Sequence, residues 1–229
     1  MNANESMSPF RREPSRRKRQ ARRRRRVRAA LAGLLAVLTV AVGVLLWLRF
    51  RPLPGEGVAV PEYVTEELLP VNRFSRPGIP LKEIRGVVVH YVGNPATTAE
   101  ANRNYFASLA DGREGTFASS HFIVGLEGEV LQCIPLTEIA YASNDRNGDT
   151  VAIEVCHPDE TGEFSRETYE RLVELTAWLC RTFELDPETD VLRHYDVTGK
   201  HCPLYYAEHP ENWARFLSDT ADALNAPKA

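Results

Sequence analysis

One short segment near the carboxyl end of the chain brings together residues that can bind a metal. It reads RHYDVTGKHCP over residues 193–203 and contains His194, Lys200 and Cys202. A further histidine, His90, lies near the end of the apolar run Gly-Val-Val-Val-His-Tyr-Val. Two imidazoles and one thiolate suit Zn²⁺, and three protein ligands leave a fourth position for water. Because structural zinc sites normally use four protein ligands, His90, His194 and Cys202 predict a catalytic metal site.

Hydrolysis at such a site also needs a group that takes a proton from the attacking water, and Glu154 is the candidate. It lies within Val-Ala-Ile-Glu-Val-Cys, a run that otherwise has the pattern of a buried strand. Burying a carboxylate is costly unless a positive group compensates it, and a metal ion or Lys200 can do so. Lys200 can also stabilise the oxyanion of a tetrahedral intermediate. Glu154 and Lys200 are therefore the predicted catalytic residues.

The same residues allow other functions. Cys202 can act as a nucleophile with His194 as its base, although a cysteine hydrolase of that kind leaves His90 and Lys200 without a role. The domain can also be a module that binds its ligand without cutting it. Each residue taken alone can be purely structural. The remaining histidines are given no ligand role: His121, His157, His201 and His209.

Strands and helices alternate in the part of the chain that must position these residues. Apolar runs predict strands over 86–92, 119–124, 129–134, 150–156 and 190–193, the second and third forming a hairpin. Helices are predicted over 99–109 with Thr97 or Thr98 as cap, from Ser165 to 183, and over 213–224. This order predicts an α/β domain with one sheet covered by helices.

The amino-terminal part of the chain has a different character. The 229 residues carry a formal net charge of -3, yet residues 1–28 hold twelve Arg and Lys against two Glu. Residues 29–48 contain no charge, and twenty helical residues span about 30 Å, the thickness of a bilayer's hydrocarbon core. We predict a transmembrane helix over 29–50. Arg and Lys beside a span favour the cytoplasm, so residues 1–28 should lie inside and the remainder outside.

Two other interpretations fit this region less well. A cleaved signal peptide has a shorter apolar core that is followed by a small-residue cleavage site, whereas this run ends in Leu-Arg-Phe-Arg-Pro. A basic block standing alone is typical of nuclear targeting or nucleic-acid binding, but here it runs directly into the apolar segment. The pattern favours an uncleaved single-pass anchor in the cell membrane, with no nucleic-acid partner. It says nothing about oligomeric state.

A proline-rich stretch follows the predicted span. Residues 51–80 contain six prolines, which predicts a partly extended stalk, although Tyr63, Leu68 and Leu69 can contact the domain. The folded domain is then expected over 81–226. Disulfides are permitted outside the cytoplasm but are not needed at this length. If Cys202 is a ligand, at most one pair forms among the other cysteines, Cys133, Cys156 and Cys180.

The motifs together resemble a known family. His-x₅-Lys-x-Cys-Pro, preceded by Val-Val-His-Tyr and by His-Phe-Ile-Val and Ile-Glu-Val-Cys, looks like the zinc-dependent N-acetylmuramoyl-L-alanine amidases. That group includes phage T7 lysozyme, peptidoglycan-recognition proteins and endolysin amidases. The resemblance covers residues 81–215. It implies a mixed central sheet flanked by helices, and a hydrolase that cuts the amide between N-acetylmuramic acid and L-alanine in peptidoglycan.

The resemblance also implies roles for single residues. His90, His194 and Cys202 match the zinc ligands, Glu154 matches the catalytic glutamate of endolysin-type members, and Lys200 matches the lysine before the last ligand. Some members place a catalytic tyrosine where this chain has Ser120, so the tyrosine-dependent arrangement is not expected here. Cysteine at the third ligand position fits hydrolysis, since non-catalytic recognition members commonly lack it.

Three further residues are candidates for contact with the glycan or the peptide of the substrate. They lie beside or between the motifs: Tyr91, Asn94 and Asn144.

Overall fold

The computed structural model describes residues 16–226, and the chain divides between Arg51 and Pro52 into two compact units. The first unit is described from residue 16 as one helix, α1 (Arg16–Phe50), with every side chain exposed. Its length and composition allow it to cross a membrane, and a signal sequence meets the same test. The helix begins before the predicted span because arginine is a good helix former. The first fifteen residues of the predicted cytoplasmic segment lie outside the described part.

The second unit is built on a six-stranded mixed sheet, which confirms the predicted fold class. The strands are β1 (Val64–Glu66), β2 (Gly86–Tyr91), β3 (Phe122–Val124), β4 (Val130–Gln132), β5 (Thr150–Val155) and β6 (Val191–Arg193). Their order is β1-β4-β3-β5-β2-β6. The β3–β4 hairpin is antiparallel, as predicted, and the other described pairs are parallel.

Helices cover both faces of this sheet. They are α2 (Ala99–Ser108), α3 (Arg166–Phe183), α4 (Pro187–Asp190), α5 (His194–Thr198), α6 (Leu204–Glu208) and α7 (Pro210–Asn225). Thr98 caps α2 and Ser165 caps α3, each by accepting a backbone N–H bond, so both predicted caps are confirmed. No helix was predicted over 193–203, and this segment contains α5. A helix of five residues is too short to show a periodic pattern, which explains the difference.

The alternation of side chains along the strands separates the core from the predicted site. Val89 of β2 and Ile153 of β5 belong to one buried cluster, together with residues of α3 and α7. Because successive side chains of a strand point to opposite faces, the next residues, His90 and Glu154, face the other side of the sheet. Ile123 lies in the second buried cluster, which includes residues of α2.

The prediction of an extended stalk over 51–80 is wrong for most of that stretch. Val64–Glu66 forms β1, which pairs in parallel with β4. Leu69 is completely buried and its backbone N–H donates to the Cys133 carbonyl at 2.9 Å. Val58 and Tyr63 also pack against the core. Prolines suggested a spacer, but proline is also tolerated where a chain enters an edge strand, and three strand residues carry too little pattern to detect.

All four cysteines of the chain are buried free thiols. The question that the sequence left open is therefore answered, since no disulfide joins them. The domain is held together by its two buried clusters instead.

Leu69 tests whether this segment belongs to the folded domain. Leu69→Ala is expected to lower the free energy of unfolding by about 2–5 kcal/mol, because it removes buried methyl groups and leaves a cavity. Val71→Ala is the control, since Val71 is 66% exposed and its truncation should change stability by about 0.5 kcal/mol or less. Chemical denaturation of the full-length chain in mild detergent measures both. Equal stability of the two variants would mean that this segment is a spacer and not part of the folded domain.

Candidate metal centre

The predicted ligands come together at one edge of the sheet. The parallel strands β2, β5 and β6 end at this edge, and their carboxyl ends carry His90, Glu154 and His194 respectively. His194 is the first residue of α5, directly after β6. Cys202 follows α5, and its carbonyl accepts the backbone N–H of Tyr195 at 2.8 Å. Crevices outside the carboxyl ends of parallel strands are common ligand sites in open α/β sheets.

His90, His194 and Cys202 form a compact buried cluster. Each offers one ligand atom, and these atoms lie within 4.8 Å of one another. The side chains are 2%, 8% and 2% exposed, respectively. The imidazole centroids are 4.6 Å apart, and the His90 Nδ1 atom lies 3.9 Å from the Cys202 Sγ atom. The structure thus brings together three residues of which the first and the last, His90 and Cys202, are 112 positions apart in the sequence.

Each ligand candidate is held by a second group. The His90 Nε2 atom lies 3.1 Å from the Ser143 hydroxyl, and the His194 Nε2 atom lies 3.1 Å from the Asn144 side-chain oxygen. The backbone N–H of Tyr91 is directed at the Cys202 thiol. These contacts leave the Nδ1 atoms of both histidines available to a metal. Metal-ligating histidines commonly donate their other ring N–H to a polar group in this way.

The protonation states of the cluster fit a bound cation. Burial lowers the pKa of His90 well below its usual value, and His194 and Lys200 lower it further. Burial and Lys200 also lower the pKa of His194, so both imidazoles are neutral, as metal ligands must be. Burial raises the pKa of the Cys202 thiol to about 12, and Glu154 adds to this effect. A cation at the cluster is what would convert that thiol into a thiolate.

Glu154 lies beside the cluster with an unsatisfied carboxyl oxygen. It is the direct neighbour of His90 in the register of β5 and β2, and therefore lies on the same face. Its Oε2 atom is sealed from solvent and finds no hydrogen-bond partner among residues 16–226. Burial raises the pKa of Glu154 to about 8, although Lys200 lowers it. Buried polar atoms normally have partners, so this orphan oxygen indicates a group that the protein itself does not supply.

Lys200 lies in the turn between α5 and Cys202 and is exposed to solvent. Within the described chain it forms no ion pair with Glu154, so any compensation of Glu154 by Lys200 acts through its charge at a distance. Its charge nevertheless lowers the pKa values of His90, Glu154 and His194.

The three predicted substrate contacts have different surroundings. Tyr91 is partly buried, and its ring lies 5.0 Å from the ring of His157. Asn94 is exposed in the turn after β2, where its carbonyl accepts a bond from Thr97 at 2.7 Å. Asn144 directs its side-chain oxygen at His194. Tyr91 and Asn144 therefore border the cluster, and Asn94 has no described contact with it.

Two residues near the site have structural partners. Ser120 is buried, and its hydroxyl accepts the backbone N–H of Glu154 at 3.2 Å and bonds to the carbonyl of Ala152 at 3.0 Å. His121 is bonded at both ring nitrogens, to the Glu138 carbonyl at 2.9 Å and the Ala152 N–H at 3.0 Å. These bonds tie adjoining parts of the sheet together and agree with a structural interpretation of His121.

Sequence reasoning missed Ser143. It is a buried serine that contacts His90 across 53 positions of chain. Its only sequence signal is its place next to Asn144 in a turn-forming stretch, Ser-Asn-Asp-Arg-Asn-Gly. Serine and asparagine are common in turns, so the pattern predicted a loop and not a contact with a ligand.

Comparison with known proteins bears on this site. A family model described as N-acetylmuramoyl-L-alanine amidase matches residues 80–204, which include all the residues of the cluster. The amidase BlyA of Bacillus subtilis (strain 168) is 31% identical over 172 residues, covering 66% of this chain and 45% of that protein. A probable N-acetylmuramoyl-L-alanine amidase of Bacillus licheniformis is 35% identical over 154 residues, covering 61% and 42%. The chain thus spans less than half the length of these relatives.

Solved structures share the fold. A mutant endolysin from Bacillus subtilis aligns with a TM-score of 0.57 at 24% identity, covering 69% of this chain and 97% of that one. PlyL aligns with a TM-score of 0.56 at 21% identity, covering 69% of this chain and 96% of that one. At these identities the likeness concerns the fold, and the match of the family model carries the assignment. The chain belongs to the N-acetylmuramoyl-L-alanine amidase family.

Proposed function

We propose that this protein is a zinc-dependent peptidoglycan hydrolase that cuts the amide between N-acetylmuramic acid and L-alanine. The observation that carries the proposal is the cluster of three ligand atoms within 4.8 Å beside the orphan Oε2 atom of Glu154. Two neutral nitrogens and one sulfur are a donor set that suits Zn²⁺ better than Mg²⁺ or Ca²⁺, which prefer oxygen ligands. Membership of the family and the names of its relatives supply the substrate.

Each residue of the site has a role in this proposal. His90, His194 and Cys202 would hold the ion, which when bound supplies a nucleophilic water and polarises the amide carbonyl. Glu154 accepts the proton of the water and passes it to the departing nitrogen. Its pKa of about 8 in the metal-free protein would be lowered by a bound cation toward the operating pH, where a proton carrier works best. Lys200 places positive charge where the oxyanion develops.

The alternative of a cysteine hydrolase is weakened by the thiol itself. A nucleophilic cysteine acts as a thiolate and usually has a lowered pKa. Here burial raises the pKa of Cys202 to about 12. The histidine beside its sulfur is His90, the next-to-last residue of the buried strand β2, while His194 is bonded to Asn144. The arrangement resembles a set of metal ligands more than a nucleophile with its base.

The alternative of a binding module that recognises muropeptide without cutting it depends on Glu154. A module of that kind gains nothing from a half-buried carboxyl whose Oε2 atom is sealed from solvent without a partner, which lowers stability. Retention of such a group is typical of catalytic sites, where environments shift the pKa of an acid or base toward neutrality. Tyr91 and Asn94 remain candidate contacts to the glycan or the peptide.

We also propose that α1 anchors the enzyme to the cell membrane, with residues 1–28 in the cytoplasm and the catalytic domain outside. The family's substrate lies outside the membrane, which agrees with the orientation that the basic segment favours. The proposal keeps three parts of the predicted domain division: the basic segment 1–28, the span 29–50 and a catalytic domain that ends near 226. An anchored enzyme would act only on peptidoglycan near the membrane.

Digestion of purified peptidoglycan tests the reaction. The full-length chain in detergent is expected to release stem peptides with free L-alanine amino termini, which mass spectrometry identifies. Glu154→Gln keeps the shape of the side chain but cannot accept a proton, so kcat should fall about 10²–10⁴-fold. Lys200→Ala should lower kcat by roughly 10²-fold with a smaller effect on KM.

Two controls separate the alternatives. Chelation of the metal should abolish release and added Zn²⁺ should restore it, whereas full activity without metal would favour the cysteine hydrolase. If wild type releases no peptide yet binds peptidoglycan as well as Glu154→Gln does, the protein is a binding module.

Zinc binding should release protons in a pattern set by the raised pKa values. Cys202, with a pKa of about 12 in the metal-free protein, should lose about one proton on binding at any pH below that. Glu154, with a pKa of about 8, is protonated at pH 7, so a nearby cation releases its proton there but not at about pH 9. Titration calorimetry in buffers of different ionisation heat counts these protons.

Two variants assign the protons to residues. Cys202→Ser should release about one proton fewer than wild type at both pH values, together with much weaker binding. Glu154→Gln should release fewer only near pH 7. Identical proton counts in all three proteins would show that neither Cys202 nor Glu154 belongs to the zinc site.

The anchor is tested by the fate of the amino terminus in cells. We expect the intact chain in the membrane fraction, extracted by detergent and not by high salt or alkali. A protease added outside intact spheroplasts should digest the domain and leave residues 1–28 protected. Recovery of a shortened soluble chain that begins after α1 would instead identify this helix as a cleaved signal sequence.

A further inference from the structure

A single short turn of helix contacts both histidines of the proposed metal site. Asn144–Arg146 forms a 3-10 helix that begins directly after Ser143. The hydroxyl of Ser143 lies 3.1 Å from the His90 Nε2 atom, and the side-chain oxygen of Asn144 lies 3.1 Å from the His194 Nε2 atom. Two consecutive residues thus reach one histidine from β2 and another that follows β6.

The backbone of this turn is held in a conformation that directs both side chains at the histidines. Asn144 has a φ of 53°, in the left-handed region that asparagine tolerates better than most residues. The side-chain oxygen of Asn147 accepts the backbone N–H of Ser143 at 2.6 Å and that of Ala142 at 3.1 Å. These bonds hold the backbone at Ser143, so the directions of both side chains are set by local structure.

The chemistry of the two contacts determines which ring nitrogen carries the proton. An amide oxygen only accepts hydrogen bonds, so its contact requires a proton on the Nε2 atom of His194 and leaves a lone pair on the Nδ1 atom. For His90, the Nδ1 atom is the one that faces the Cys202 sulfur, at 3.9 Å. The Ser143 hydroxyl can likewise accept a hydrogen bond from the Nε2–H group of His90.

We propose that Ser143 and Asn144 are positioning residues that fix the orientation and tautomer of both histidines, so that each presents its Nδ1 atom to the metal. This inference rests on the proposed function, since it concerns the same site. It gives Asn144, predicted from the sequence as a substrate contact, a role that acts through His194. A group that orients a ligating histidine typically contributes 10–100-fold to metal affinity, which sets the expected effect at roughly that size.

The test measures zinc affinity of the full-length chain in detergent by competition with a chromophoric chelator. Asn144→Gly keeps the left-handed backbone and removes only the amide, so its dissociation constant should rise about 10–100-fold. Asn144→Asp should bind as tightly as wild type or more tightly, because the carboxylate is a stronger acceptor that tolerates the same φ. Asp145→Ala is the matched control, since Asp145 is exposed on the same turn and should leave the affinity unchanged.

Ser143→Ala is the companion variant, with a similar expected loss. Because Ser143 is buried, thermal unfolding must first show that this variant folds, and Asn144→Gly carries the test if it does not. A second measurement uses ¹⁵N-labelled histidine in the metal-free chain. Wild-type His194 should carry its proton on the Nε2 atom, and Asn144→Gly should show a mixture of tautomers.

The outcomes separate this inference from the proposed function. If wild type binds zinc, and both Asn144→Gly and Ser143→Ala bind it equally well, the positioning role is overturned while the metal site stands. If wild type binds no zinc, the positioning role and the proposed metal site are overturned together. A loss in Asn144→Gly that Asn144→Asp also shows would mean that the acceptor is not what matters, which likewise overturns the inference.

Discussion

The proposed site depends on a cluster of ionisable groups that lie largely out of solvent and include no positive charge. A carboxyl and a thiol lie beside two imidazoles at the edge of the sheet, and the carboxyl oxygen of Glu154 has no partner. Burial raises the pKa values of Glu154 and Cys202 and lowers those of His90 and His194, so every group of the cluster is neutral in the metal-free protein at pH 7. Holding the Oε2 atom of Glu154 out of solvent without a hydrogen-bond partner costs the fold stability, and a bound cation would offset that cost. We consider this cost the strongest physical argument for a metal.

The sheet provides the geometry that this cluster needs. Parallel pairing of β2 with β5 places His90 beside Glu154, and parallel pairing of β2 with β6 brings His194 to the same edge. Because side chains alternate between faces, one strand can bury Val89 in the core and present His90 to the site. A slip of one residue in the β2–β5 register would separate the ligand from the carboxylate. The apolar core therefore also determines the geometry of the site.

The sequence predicted the strands and helices that carry strong periodic patterns, and it singled out the three residues of the cluster because their types are rare in combination. It failed where the signal was short or ambiguous. β1 has three residues, and the prolines around it suggested a spacer. The contact between Ser143 and His90 could not be seen in the sequence, because it joins residues 53 positions apart and only the folded chain shows it. Asn144 was noticed for its place between the motifs, but its partner could not be foreseen.

Anomalous diffraction at the zinc absorption edge, from crystals of the protein grown with zinc, tests the central claim most directly. We expect one strong peak about 2.0–2.3 Å from nitrogen atoms of His90 and His194 and from the sulfur of Cys202, with a fourth position open. Nδ1 atoms should be the nitrogens in contact. A peak elsewhere in the molecule, or none at this cluster with zinc in excess, would contradict the account.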